Sequence, residues 1–427
     1  MLQSKNHKSF QKLNVGEFVF AFFIITRVIA IVLSYPCISD IDLYLDTFVK
    51  GWIIGLQPYS QFHFEYPPLT LIIIYLPGLI LRSVDSSSYF LSFTCLMFFL
   101  DFCCLESCRF YCKNRLAMKE REINYMILIY SLLGLLMFKI LYHRLDIIVA
   151  LFFATSLFFF ESKNSQLRPR FFINALLGFF YKIIPVFTMP CAIIFKAFTS
   201  SSNNKKIIKK IFLDSAIFVS FLVTIIFLLE IHTSSNFIRN MLFHEQRGIQ
   251  IESSYGSILM FQNLLLHKIS PITNGYGSWN IAGNSCYEFI AKNLGIAILL
   301  LFYSALFFTL LKKKNSGKKI KISEKNFLDV TLVTILLVLA FQRVLSTQFF
   351  IWLIPILAIW LAQNRSIKFL LIFGFLFLTT FFIFSIDYFA LVNEEPILVT
   401  ILFLRNFILV LTASFLAINF FKKLLQQ

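Results

Sequence analysis

Long apolar runs separated by short basic segments dominate the pattern of this 427-residue chain. Several runs are close to the ~20 residues that cross about 30 Å of hydrocarbon as a helix. No small-residue cleavage site follows the first run, so we expect an uncleaved first span rather than a signal peptide. The pattern predicts an all-α polytopic membrane protein with helices at 18–35, 88–108, 124–142, 146–160, 211–230, 293–311, 326–341, 348–362, 367–385 and 397–420.

Two further apolar segments do not fit a simple span. Segment 67–82 has only about 13 continuous apolar residues and contains three prolines, which is typical of an interfacial or re-entrant segment. Segment 171–197 has basic clusters at both ends, so it must cross the membrane an even number of times. Pro185 and Pro190 at its middle predict a broken hairpin. With this hairpin, the chain is predicted to cross the membrane about twelve times.

Composition supports a membrane protein, since 58% of the residues are hydrophobic and only 14% are charged. This composition excludes a soluble enzyme, a secreted disulfide scaffold and a disordered tail. The net charge of +17 would also suit a nucleic-acid-binding protein, so the position of the charges has to decide. Seven segments contain 27 of the 39 basic residues: 1–17, 109–122, 161–170, 196–210, 312–325, 363–368 and 421–427.

These basic segments determine the predicted orientation. Together with Glu106, Asp214 and Asp329 they contain 8 of the 22 acidic residues, which gives them a net charge of +19 and leaves −2 elsewhere. Cytoplasmic loops of membrane proteins are enriched in Lys and Arg. We therefore expect both termini in the cytoplasm, most simply at the inner membrane of a cell, and no nucleic-acid partner.

This orientation leaves two long extracytoplasmic loops, 36–87 and 231–292, in a single membrane-embedded domain spanning 1–427. Connections of this length usually carry function. Cys37 and Cys286 are the cysteines in these loops, and the sequence leaves open whether they form a disulfide.

Three carboxylates stand close together at the start of the first loop. In a helix, Asp42 and Asp46 would share one face, and Asp40 and Tyr44 would form a second i,i+4 pair. The acids could cap the helix and balance Lys50, or one of them could act as a general base. The Asp-Ile-Asp pair could also hold a divalent cation. The residues alone leave these alternatives open.

The order of motifs in this loop resembles a known enzyme family. Asp-x-x-x-Tyr at 40–44, Gly-x-x-Pro-Tyr at 55–59 and Phe-Glu-Tyr-Pro-Pro-Leu at 64–69 follow the first span. This order resembles the polyprenyl-phosphate-sugar-dependent glycosyltransferases of the GT-C superfamily. It is most similar to glycosyltransferase family 87, the bacterial α-mannosyltransferase-like group, and more distantly similar to GPI mannosyltransferase one.

Later motifs extend the resemblance over nearly the whole chain. They are Arg-x-Asp at 144–146, Lys-x-x-Pro at 182–185, Arg-Gly…Glu-Ser at 247–253 and Arg-Val-Leu-Ser-Thr-Gln at 343–348. In the last motif, Arg343 stands where the family usually has Lys, and Phe349 follows where it usually has Tyr.

The resemblance implies a GT-C-type bundle that transfers a sugar, with mannose as the first candidate, from a polyprenyl phosphate to a hydroxyl of a lipid or glycan acceptor. The transfer would invert the anomeric carbon on the extracytoplasmic side. Asp40 is the expected general base and Asp42 the second candidate, with no cofactor and no metal. Expected donor-phosphate contacts are Arg144, Lys182, Arg247 and Arg343. Expected substrate contacts are Tyr44, Tyr59, Glu65, Tyr66, Asp146, Glu252, Ser253 and Gln348.

Two other functions also fit a polytopic chain with buried cations. One is a lipid-linked saccharide flippase or another transporter, and the other is a non-catalytic subunit of a glycan-assembly complex. A transporter would have unexplained polar residues spread through the membrane depth, whereas here they gather on one side. The sequence does not indicate an oligomeric state.

Overall fold

Helices make up most of the structure, a computed structural model that describes residues 15–34, 40–81, 85–164, 166–200, 203–233, 236–268, 270–318, 320–385 and 388–426. The first nine helices are α1 (Val15–Ser34), α2 (Asp40–Leu43), α3 (Lys50–Ile53), α4 (Pro68–Leu81), α5 (Ser86–Asn114), α6 (Glu120–Leu136), α7 (Phe138–Leu141), α8 (Asp146–Phe159) and α9 (Pro169–Lys182). The others are α10 (Met189–Ser200), α11 (Asn204–His232), α12 (Phe237–Met241), α13 (Ser254–Leu266), α14 (Ser285–Asn315), α15 (Glu324–Phe341), α16 (Leu353–Asn364), α17 (Ile367–Ser385), α18 (Tyr388–Val392) and α19 (Pro396–Gln426).

Seven helical segments among the described residues are long and apolar enough to cross a membrane. They are α1, α5, α11, α14, α17 up to Phe384, α19 and the stretch Thr347–Asn364, whose first part is a 3-10 helix. Three shorter apolar helices lie at Pro68–Leu79, Asp146–Phe159 and Ile184–Ser200. This is the architecture of an all-α polytopic membrane protein, as the apolar runs predict. The number of about twelve crossings and the two extracytoplasmic loops stay predictions.

The interior of the bundle is built around α15 and α16. Every residue from 326 to 340 of α15 is buried, and α16 is buried along most of its length. Helices α14, α16 and α19 pack against α15. By contrast, α11 buries only Ile207 and Phe218, so nearly all of its apolar surface faces outward, where lipid would cover it.

The predicted break in segment 171–197 is present. Helix α9 ends at Lys182, a 3-10 helix follows at Ile184–Thr188, and α10 then begins. Pro185 has no backbone N–H, which favours this interruption. Gly178 allows the chain to pass close by, because a Cβ atom at position 178 would lie 2.7 Å from the Cβ atom of Pro185. The break leaves Lys182 at the end of a helix.

The start of the first loop is helical from Asp40 to Ile53, with a π-helical stretch at Tyr44–Val49 between α2 and α3. Such π-helical turns are frequent at functional sites. Asp42 and Asp46 are exposed, and Lys50 bonds Asp46 at 2.5 Å, so this acid does balance the lysine. Cys37 lies outside the described residues, and Cys286 is exposed in the first turn of α14.

Three short strands form an antiparallel sheet with the order β1 (Ile249–Gln250), β3 (Ser278–Ile281), β2 (Ile272–Gly275). Strands β2 and β3 form a hairpin in which Gly275 pairs with Ser278. Tyr276 and Gly277 form its two-residue turn, and both have positive φ (54° and 71°), as in a type I′ turn. The hairpin separates two depressions in the surface.

Candidate active site

Residues from distant parts of the chain meet around one cavity of about 680 Å³. This volume lies within the range of about 300–1,000 Å³ that is usual for small-molecule sites. The cavity is lined by the start of α2, the segments before α4 and α8, the end of α9, the β2–β3 hairpin, part of segment 342–352 and the region around α18. Eight residues predicted from the sequence are among its lining residues: Asp40, Glu65, Tyr66, Arg144, Lys182, Arg247, Glu252 and Gln348.

Asp40 and Arg144 form an ion pair at the wall of this cavity. Both side chains are partly buried, with 22% of Asp40 and 27% of Arg144 exposed. Arg144 lies in the turn just before α8. Burial lowers the pKa of Arg144 to about 10, and Asp146 and Glu252 partly oppose this effect. Arg144 is therefore still a cation at neutral pH, and it holds the carboxylate of Asp40 in place.

A buried carboxylate, that of Asp146, holds Lys182 at the cavity. Its Nζ lies 2.7 Å from Oδ1 of Asp146, the first residue of α8, which is only 1% exposed. The indole N–H of Trp352 donates to the same oxygen at 2.6 Å. The ammonium group also lies 5.1 Å from the ring centroid of Phe349, within the range of a cation–π contact. Asp146 therefore positions Lys182 and does not line the cavity itself.

Arg247 connects the first loop to the hairpin. Its Nη2 lies 3.2 Å from Oε2 of Glu65, and its Nε–H donates to the carbonyl oxygen of Tyr276 at 2.7 Å. The guanidinium group is thus fixed at the rim of the cavity by one carboxylate and one backbone carbonyl. Two bonds of this kind make an arginine a rigid donor for an anionic ligand.

Glu252 is a buried carboxylate with several donors. Its Oε2 accepts from Gln250 Nε2 at 2.6 Å and from the Tyr388 hydroxyl at 3.2 Å, and its Oε1 accepts from the backbone N–H of Thr347 at 3.2 Å. Burial raises the pKa of Glu252, while the charge of Arg405 and the hydrogen bonds oppose the rise. This network joins the second loop to the segment after α15.

The remaining predicted residues are outside the described lining of the cavity. Asp42 is exposed, and Tyr44 is buried, with its ring centroid 6.3 Å from that of Tyr66. Tyr59 is also buried, and its hydroxyl donates to the carbonyl oxygen of Tyr66 at 2.7 Å. Both tyrosines therefore contact Tyr66, which lines the cavity.

Ser253 and Arg343 have local partners. Ser253 is the N-cap of α13, where its hydroxyl accepts from the N–H of Gly256 and donates to the carbonyl of Gln250. Arg343 donates to the carbonyl oxygen of Glu245. Both contacts fix the backbone near the cavity.

Sequence reasoning missed Tyr388, which lines the cavity, and Arg405, which supports it. Arg405 is fully buried in the middle of α19, and it donates to the backbone carbonyl of Glu252 at 2.7 Å. Asn406 donates to the same oxygen at 3.0 Å. A signal was present, since a cation inside the apolar run 397–420 is costly unless it has a partner.

No group of three or more His, Cys, Asp or Glu residues within the described part of the chain is arranged to hold a metal ion. Comparison with known proteins finds no matching protein-family model and no matching curated protein. The case for a function therefore depends on the geometry of the cavity and on the motifs that line it.

Proposed function

We propose that this protein is an integral membrane glycosyltransferase that moves a sugar from a polyprenyl phosphate to an acceptor hydroxyl. One observation carries the proposal: the carboxylate of Asp40 and the cations Arg144, Lys182 and Arg247 line a single cavity. These groups are separated by up to about 200 positions in the chain, so their convergence is a property of the fold.

The cations suit the phosphate of a lipid-linked donor. Arginine binds phosphate through two parallel N–H bonds, and lysine provides a compact charge. The cavity also has apolar wall residues, among them Ile183, Phe349, Phe384 and Phe389. A polyprenyl phosphate needs both, because its phosphate is anionic and its chain is apolar. The resemblance to glycosyltransferase family 87 favours mannose as the sugar.

The proposed reaction is a single displacement. The acceptor hydroxyl oxygen forms a bond to the anomeric carbon while the bond from that carbon to the phosphate oxygen breaks. The electron pair of the broken bond leaves on the polyprenyl phosphate, and the hydroxyl proton moves to the carboxylate of Asp40. Attack from the face opposite the phosphate inverts the anomeric carbon. No metal or cofactor takes part in these steps.

The residues contribute in different ways. A well-placed general base accelerates such a step about 10²–10⁴-fold. Cations that meet the charge growing on the leaving phosphate stabilise the transition state by about 3–4 kcal/mol each. Asp146 contributes by positioning Lys182, and Glu65 by positioning Arg247. In the orientation predicted from the basic segments, the cavity is extracytoplasmic.

The proposal can be tested with the purified full chain in lipid nanodiscs. Polyprenyl-phosphate mannose is supplied with crude lipid and glycan acceptors, beside arabinose, galactose and glucose donors, and the release of polyprenyl phosphate is measured. We expect release from one donor and none from an Asp40→Asn variant. In sealed proteoliposomes, passage of an intact donor across the bilayer without cleavage would instead support a transporter.

A further inference from the structure

A second depression, which we call the side cleft, lies beside the cavity. It has a volume of about 450 Å³ and is lined by residues of segments 59–63 and 236–246 and by Tyr276. The tip of the β2–β3 hairpin separates the two spaces, because Tyr276 lines the side cleft and Gly277 lines the cavity.

Aromatic rings form one wall of the side cleft. The ring centroid of Phe243 lies 4.4 Å from that of His63 and 5.0 Å from that of Tyr276. Tyr276 is 41% exposed, which is high for a large aromatic side chain in contact with others. Exposed polar side chains from Gln61 and Arg239 also line the cleft. Aromatic faces beside amide and guanidinium groups match the apolar C–H faces and the hydroxyl groups of a sugar ring.

The backbone conformation of Tyr276 is unfavourable for a tyrosine, which suggests that its ring is kept for binding. Both central residues of a type I′ turn need positive φ, so asparagine and glycine are preferred there. A tyrosine with φ 54° is strained in this position, and asparagine would fit the turn better. Tyr59, which lines the same cleft, also has positive φ (69°). Backbone strain of this kind is concentrated at binding and catalytic sites.

Both walls of the side cleft are connected to the cavity. The carbonyl of Tyr276 accepts from Arg247, and the hydroxyl of Tyr59 donates to the carbonyl of Tyr66. A molecule held in the side cleft would therefore lie against residues that bond directly to the lining of the cavity. The cavity wall carries three cations, whereas Arg239 is the one Lys or Arg among the described residues lining the side cleft.

We propose that the side cleft binds a sugar ring of the acceptor, so that the acceptor is a glycan or a glycolipid with its sugar seated on Phe243 and Tyr276. As an acceptor site, it rests on the proposed function. The anionic donor belongs to the cation-lined cavity, and the acceptor reaches over the hairpin tip to present its hydroxyl to Asp40. This arrangement gives each substrate its own side of the hairpin.

Tyr276→Asn tests the inference, because asparagine suits the turn and keeps the carbonyl that binds Arg247. The probes are mannose-, glucose- and galactose-containing disaccharides, and their binding to the full chain in nanodiscs is measured by saturation-transfer NMR. We expect Tyr276→Asn to weaken binding about five- to tenfold, the loss expected for one aromatic contact, without lowering the Tm. Phe243→Ala should weaken binding as well.

His267→Asn is the matched control. His267 is also exposed and has positive φ (48°), but it ends α13 away from the described lining of the side cleft. The His267→Asn variant should bind the disaccharides as the wild type does. Binding that Tyr276→Asn leaves unchanged, or no binding of any probe to the wild type, would overturn the inference.

The same variants separate this inference from the proposed function. If donor cleavage occurs and Tyr276→Asn raises the acceptor KM but not the donor KM, both are supported. Donor cleavage with sugar binding that does not depend on Tyr276 overturns the side cleft alone. Sugar binding that depends on Tyr276, without cleavage of any donor, overturns the glycosyltransferase and the acceptor role, and leaves the cleft as a saccharide site.

Discussion

Asp40 begins α2 with its carboxylate directed at both Arg144 and the cavity. Asp42, two residues later, is exposed and lies outside the described lining of the cavity. The spacing of the residues alone could not show which of these two acids faces the site, because either position can face a partner in a short helix. The fold distinguishes them, since Asp40 lines the cavity together with Arg144, Lys182 and Arg247, and Asp42 is not among the described lining residues.

We expect Asp40→Asn to abolish transfer, with a loss of about 10²–10⁴-fold, because asparagine cannot take the proton. Binding of the donor should persist, since the three cations remain. Turnover and photo-crosslinking of a donor analogue measure the two effects separately. Asp42→Asn is the matched control and should keep its activity; an inactive Asp42→Asn beside an active Asp40→Asn would reverse the assignment of the base.

His143, next to Arg144, is a buried histidine whose surroundings lower its pKa. It is 2% exposed, its ring centroid lies 5.2 Å from that of Phe90, and its Nε2 has no hydrogen-bond partner among the described residues. Burial lowers its pKa from 6.5 to about 4, and the charge of Asp42 opposes this only partly. Between these pH values, the unfolded chain binds a proton that the folded protein does not. Stability is therefore lost as the pH falls from 6.5 towards 4.

Replacing His143 with Phe should remove this loss, because phenylalanine fills the same space and does not titrate. Full titration of His143 would cost about 3 kcal/mol of unfolding free energy, since each pKa unit corresponds to about 1.4 kcal/mol. We expect the Tm of His143→Phe to fall less than that of the wild type between pH 7 and about pH 4. The exposed His267→Asn should follow the wild-type curve, and a His143→Phe curve parallel to it would contradict the effect.

At the scale of elements, the break after α9 positions Lys182. The 3-10 helix Ile184–Thr188 passes over Gly178, and Ile183 and Ile184 line the cavity. A larger residue at position 178 would push the Pro185 ring away. This contact therefore links a glycine in a membrane helix to the geometry of the site.

We expect Gly178→Ala to lower the turnover several-fold with little change in expression, because its methyl group would have to displace Pro185. Gly374→Ala in α17 is the matched control, since a Cβ atom at that position meets nothing within 4 Å. The control should keep full activity and wild-type expression. Equal activity of the two variants would show that the break tolerates displacement.

The helices and the break could be predicted from sequence because their signals are local: apolar runs for the spans and prolines for the interruption. The β2–β3 hairpin could not, since its strands have only four residues each and lie in a polar loop. Pairings across the bundle were also hidden. Arg27 and Asp101 lie inside two different apolar runs, 18–35 and 88–108, yet they form a fully buried ion pair at 2.7 Å.

The hydroxyl group of Tyr142 connects this buried ion pair to the segment that contains Arg144. Tyr142 donates to Asp101 Oδ2 at 2.8 Å, and it immediately precedes His143 and Arg144. The ion pair between α1 and α5 therefore anchors the segment that carries the cation beside Asp40. Sequence alone identifies such charges as exceptional, but only the fold shows which of them meet.

At the scale of the whole molecule, the basic segments are joined by direct contacts. Arg115 bonds Glu161 at 2.6 Å, Lys196 donates to the carbonyl of Asn164 at 2.8 Å, and Arg365 bonds Glu122 at 2.8 Å. Further contacts attach 312–325 to 161–170 and to 421–427. Six of the seven segments are thus connected, and the seventh, 1–17, lies almost entirely outside the described residues.

None of the described residues in these segments lines the cavity. The positive charge and the candidate chemistry are therefore separate features of the molecule. Since lysine and arginine are retained on the cytoplasmic side, the connected basic segments should lie in the cytoplasm. The cavity would then open to the other side, and the proposed lipid-linked donor and acceptor would meet there.

Cysteine labelling tests this orientation. Four of the eight cysteines are buried: Cys104, Cys108, Cys112 and Cys191. Replacing the other four with serine should therefore leave little background labelling. Three exposed positions then receive single cysteines: Gln57→Cys in the first loop, Lys268→Cys in the second, and Lys318→Cys between α14 and α15.

A membrane-impermeant maleimide should label Gln57→Cys and Lys268→Cys in intact cells, because both loops are predicted to face the outside. Lys318→Cys should react only after permeabilisation, because basic segments stay in the cytoplasm. Complete labelling of all three after permeabilisation shows that each site is accessible. If either loop position needed permeabilisation, or if Lys318→Cys reacted in intact cells, the predicted orientation would be wrong. An acceptor outside the cell could then not reach Asp40.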